Sequence, residues 1–90
     1  MNTHPVITAE ERQRNTELLN LAKSELPNLV EGELFFLSDL FYGYQWKRIP
    51  KQDRSLLGRT FLDYAQTGEG ARKIVVMGKS ARSQQSYARK

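Results

Sequence analysis

Residues 50–79 read PKQDRSLLGRTFLDYAQTGEGARKIVVMGK, and this stretch decides the fold. Pro50 suits the first position of a helix, where its missing N–H costs nothing. Leu57, Phe61, Tyr64 and Ala65 recur at helical spacing, with Ser55, Arg59, Asp63 and Gln66 broadly opposite. Gly68 suits a left-handed helix end, so a helix is expected over Pro50–Gln66. Ile74-Val75-Val76-Met77 is then the strongest strand signal in the chain. Gly78 to Gln85 reads as a polar loop, and Ser86-Tyr87-Ala88-Arg89 as the returning strand of a hairpin.

Upstream, Thr8-Ala9-Glu10-Glu11 has the spacing of a capping box. It opens a helix expected to run to about Leu26, because Pro27 disfavours helical geometry in its predecessor. Leu18, Leu21, Ala22 and Leu26 form its apolar stripe and Leu19 flanks it. The half before Thr16 has almost nothing to bury, so it is expected to project or fray. Leu34-Phe35-Phe36-Leu37 reads as a short strand. Ser38 can cap a brief second helix over Asp39–Tyr44, leaving Gln45–Ile49, with Trp46, as a loop. Residues 1–7 read as a flexible tail and residues 8–90 as one domain. The expectation is an α+β fold of three helices and a small three-stranded antiparallel sheet, in a winged helix-turn-helix order. The first strand would pair with the hairpin, since an isolated hairpin is marginal.

Composition narrows the classes. Ninety residues support one modest core, and the aromatic content of 10% favours a core over disorder. There is no cysteine, which rules out disulfides and thiolate metal sites. No apolar run approaches a membrane span, and the first residues lack the apolar core of a signal peptide, so a cytoplasmic protein is expected. The one histidine, His4, lies in the tail. There is no P-loop, dinucleotide fingerprint or nucleophile elbow, so neither an enzyme nor a cofactor or metal is expected.

Charge is unevenly placed. Residues 1–45 hold three basic and seven acidic side chains, net −4, and residues 46–90 hold eleven and three, net +8. A basic half can present a positive surface to an anionic partner, nucleic acid first among them. Three groups of residues could carry it. On the third helix, Lys51, Arg54 and Arg59 can hold phosphates or enter a groove. Around the hairpin, Lys79 and Arg82 are flanked by Arg72, Lys73, Arg89 and Lys90. Between the second and third helices, Tyr42, Tyr44, Trp46, Lys47 and Arg48 interleave aromatic rings with cations, the composition of a base-stacking platform; Tyr87 is a further candidate. Each has a plainer reading: a solvated helix face, a solvated turn, and a tryptophan needed in the core. Gly58, inside the third helix, is read as a close approach of another helix rather than of a nucleic-acid backbone.

From Glu31 to Arg89 the chain resembles a family of short proteins of bacteria, phages and mobile genetic elements, catalogued as a domain of unknown function. The resemblance rests on EGELFFLSDLF, WKRIP, LGRTF at Leu57–Phe61, IVVMGK, and QSYAR near the end. It implies a winged-helix fold and single-stranded DNA binding in the replication or recombination of mobile elements. Thr8–Leu26 lies outside it. The leading expectation is a non-enzymatic protein preferring single-stranded DNA. The alternatives are a duplex-binding transcription regulator, which would be a homodimer on spaced half-sites, and a protein-interaction module or phage-type inhibitor docking through Leu18, Leu19 and Ala22.

Overall fold

A computed structural model of the chain describes residues 8–80 and 84–90. The expected tail 1–7, the tip of the hairpin loop, and Arg82 with it, lie outside the described residues.

The elements run α1 (Ala9–Glu25), a 3-10 turn (Leu26–Asn28), β1 (Leu34–Phe36), a second 3-10 turn (Leu37–Leu40), α2 (Gly43–Arg48), α3 (Lys51–Gln66), α4 (Gly68–Lys73), β2 (Ile74–Lys79) and β3 (Gln85–Arg89). This is an α+β fold of four helices and one antiparallel sheet in the order β1-β3-β2. The capping box forms as spaced: the Glu11 N–H donates to Thr8 Oγ1 at 3.1 Å, and Glu11 returns a carboxylate oxygen to the Thr8 N–H.

The core lies between the sheet and two helices. Phe35 of β1 pairs with Tyr87 of β3, and Tyr87 with Val76 of β2, so one inward row crosses all three strands. The Phe35 and Tyr87 rings stack at 5.6 Å, and Phe61 of α3 meets Tyr87 edge-on at 5.0 Å. Leu57, Phe61 and Ala65 bring the buried stripe of α3 to this row, with Ala22 and Leu26 from the α1 end. Removing a ring such as Phe61 from such a site costs roughly 3–5 kcal/mol.

Four expectations are corrected. Asp39–Tyr44 is not the second helix. Asp39 Oδ2 accepts from the Phe36 N–H at 2.9 Å and closes a 3-10 turn instead. The backbone then extends at Phe41 and Tyr42 before α2 begins, and the Gln45 side chain accepts from the Tyr42 N–H at 3.0 Å. Trp46 is therefore on a helix, not in a loop. α3 ends at Gln66 with Gly68 just past its cap at a left-handed φ of 54°, as expected, but Gly68 also opens α4, a fourth helix where three were expected. In α4, Gly70 is obligatory, since a Cβ there would stand 1.9 Å from the Tyr64 carbonyl oxygen.

The first half of α1 is tethered at its inner end, by Arg14 and Asn15, while the turns before them stay mostly exposed. The guanidinium of Arg14 donates to both carboxylate oxygens of Asp53 on α3, at 3.1 and 3.4 Å, and the Thr60 hydroxyl lies 3.2 Å from Asn15 Oδ1. Polar links thus hold the turns that have no apolar face. Within the expected apolar stripe, Leu21 is half exposed while Leu18 and Leu19 pack against the core.

Candidate nucleic-acid interface

β2 carries a bulge between Val76 and Lys79, which shifts its register so that Lys79 pairs with Gln85. Ser86 Oγ donates to the Gly78 carbonyl at 2.6 Å and the Gln85 carboxamide donates to the Met77 carbonyl, fixing the irregular turn of the strand. Beyond it, the Ser80 N–H donates to the Gln84 carbonyl at 2.8 Å and closes the base of the loop. Bulges of this kind bend a strand and re-aim its side chains.

Between this bent hairpin and α3 runs a groove of about 510 Å³. Arg54, Ser55, Gly58, Arg59 and Leu62 line it from α3, and Lys79, Gln84, Gln85 and Tyr87 from the hairpin. Trp46, Leu37 and Ser38 complete the wall. Its volume lies within the range of small-ligand sites, roughly 300–1,000 Å³. Among the described residues, three cations and no carboxylate line it.

Trp46 is half-buried. Its ring lies 5.7 Å from that of Phe41, and the Arg54 guanidinium sits 5.8 Å from its centroid. Trp46 thus packs against the core, as its plainer reading expects, and also lines the groove. Arg54 Nε is buried and finds no acceptor among the described residues.

The other expected site residues fall elsewhere. Tyr42 and Tyr44 stack at 5.9 Å with planes 3° apart, and both are largely exposed. Arg48 lies over the Tyr44 ring at 5.2 Å. With exposed Lys47, they form a separate aromatic and cationic platform on α2. Lys51 is exposed at the start of α3.

Arg72 and Lys73 sit at the opposite end of β2 from Lys79, roughly 20 Å away at the rise of a strand. Lys73 pairs with Glu69 at 2.7 Å. The hydrogen bond to Glu69 raises the Lys73 pKa, and the same bond lowers that of Glu69. Beside them, Arg89 Nε donates to the Leu26 carbonyl and Lys90 Nζ to the Ala71 carbonyl, so these two cations serve carbonyls at the C-terminal ends of α1 and α4. The basic residues therefore divide into three groups instead of converging on one face.

Tyr87 does not offer a stacking face: it is only 2% exposed, with its ring held between Phe35 and Phe61. Burial pushes its pKa up to about 12. Gly58 is also corrected. Among the described residues, no atom beyond its own stretch of helix lies within 4 Å of where its Cβ would stand, so no described helix approaches it. Sequence reasoning missed Leu37, Ser38 and Leu62 as wall residues; Gln84 and Gln85, polar residues of the expected basic loop, are brought there by the pairing of Lys79 with Gln85.

Fold and site together define a small α+β domain with a cationic groove, walled on one side by a tryptophan. The chain belongs to the DUF1413 family, a domain of unknown function whose profile matches residues 20–89. No curated protein and no solved structure matches the chain. Among the described residues, no helix is long and apolar enough to cross a membrane.

Proposed function

We propose that the protein binds single-stranded DNA in the groove between α3 and the hairpin, as a winged helix-turn-helix domain without enzymatic activity. One observation carries the reading: Arg54 and Arg59 of α3 and Lys79 of the hairpin, twenty residues further on, line one groove beside Trp46, with no acid among its described lining residues. Such a groove can follow a phosphate backbone while an aromatic wall receives bases, the combination that favours unpaired strands. The helix order, the sheet order β1-β3-β2 and the loop after β2 support the winged-helix assignment, with α3 as the recognition helix and the hairpin as the wing. The platform of Tyr42, Tyr44, Lys47 and Arg48 would hold a second stretch of the same strand. A role in mobile-element or phage replication goes with this reading.

The test is fluorescence anisotropy of labelled oligo-dT at two salt concentrations, beside a duplex of the same length. Tighter binding to the single strand, weakened by salt, is expected. Equal affinity for duplex of any sequence would defeat the single-strand preference.

A further inference from the structure

α3 carries a glycine in its interior, at Gly58, and glycine is the poorest helix former after proline. Interior glycines are usually explained by a neighbouring element packed too close for a Cβ, or by a positive φ. Neither holds here: the space beyond Gly58 is empty to 4 Å, and the positive φ angles of the described glycines fall at Gly32 and Gly68. The empty space is the groove itself. Gly58 lies on its wall between Arg54 and Leu62, one helical turn to either side, and faces the region shared by Trp46 and Tyr87.

From this we propose that the groove at Gly58 is a seat for one unpaired nucleobase, an inference that rests on the reading of the groove as a DNA site. The missing side chain leaves a flat recess in an otherwise continuous helix face. Leu37, Leu62 and the Trp46 ring supply apolar surface for the face of a base, which a paired base in a duplex does not present. Arg59 and Lys79 lie on the same groove and supply cations for the attached phosphates. The buried Arg54 Nε is a donor without an acceptor, and every nucleobase brings ring-nitrogen or keto acceptors.

The experiment compares oligo-dT with an abasic deoxyribose-phosphate strand of equal length, for the wild type, Gly58→Ala and Gly58→Leu. Trp46 is the one tryptophan of the chain, so its emission reports occupancy directly. The wild type should bind oligo-dT about tenfold more tightly than the abasic strand, the share a stacked base contributes. Its Trp46 emission should be quenched by oligo-dT alone. Gly58→Leu should bring oligo-dT affinity down toward the abasic value while leaving abasic binding within about twofold, since phosphate contacts are untouched. Gly58→Ala should melt at a higher temperature than the wild type yet bind oligo-dT more weakly, which separates a filled recess from a damaged fold. Unchanged oligo-dT binding by Gly58→Leu, or equal wild-type affinity for both strands, overturns the base seat while leaving backbone binding standing. Binding of neither strand by the wild type overturns the DNA reading as well.

Discussion

Arg14 of α1 holds Asp53 of α3 through two hydrogen bonds, and Asp53 is only 3% exposed. The carboxylate is thus a buried charge with its partner at the protein surface. Removing one partner of a buried pair leaves the other uncompensated, whereas replacing both by apolar groups is often neutral. Arg14→Ala is therefore expected to lower the melting temperature and to loosen the first turns of α1, whereas Arg14→Met with Asp53→Leu recovers most of the loss. Circular dichroism melts and amide exchange over residues 9–17 check this. A single variant as stable as the wild type would show that the pair does not tether the helix.

Gly70 packs against the Tyr64 carbonyl with no room for a Cβ. Gly70→Ala must displace α4 or the end of α3, and a loss of about 3 kcal/mol is expected, at the upper end of ordinary substitutions. In a domain of this size that corresponds to a melting temperature lower by roughly 12–24 °C. A thermal melt reads it directly.

The Tyr87 phenol has a folded pKa of about 12, raised by burial above the ordinary value of 10.0. Because the folded state holds this proton more tightly than the unfolded chain, its stability is intact below pH 10. It falls as pH rises from 10 through 12. Alkaline denaturation followed at 295 nm should show tyrosinate formation coupled to unfolding, and Tyr87→Phe should move the transition to higher pH. An unchanged transition in Tyr87→Phe would separate the phenol from alkaline unfolding.

Salt dependence counts the phosphate contacts. Three groove cations predict a slope of log K against log salt of roughly −2 for a single strand. Engagement of Lys47 and Arg48 as well would bring it to about −3.5. Lys79→Ala should reduce the slope by about 0.7. A slope near zero would exclude phosphate contacts altogether.

Much of the fold was legible because its signals are local. The Thr8–Glu11 box, the Leu57–Phe61–Ala65 stripe and the β-branched run at Ile74–Val76 each specify their element without help from the rest of the chain. The second helix was misplaced because Asp39 closes a turn from Phe36, three residues back, where Ser38 had been read as a cap. The same three-residue spacing joins Tyr42 to Gln45 and marks the true start of α2. α4 was hidden by its two glycines, although Glu69 and Lys73 stand four apart, as helical ion pairs do. The site was legible by composition and not by membership. Charge counting named Arg54, Arg59, Lys79, Arg72 and Lys73 alike, but only the packing of the hairpin against α3 separates the first three from the last two.

The central claim is that the groove, and not the chain's overall basic charge, binds the strand. Oligo-dT affinity of Arg59→Ala with Lys79→Ala, set beside Arg72→Ala with Lys73→Ala, tests it most directly. The account predicts a loss of about tenfold or more for the groove pair and little change for the distal pair. Equal losses, or a larger loss for the distal pair, would contradict it.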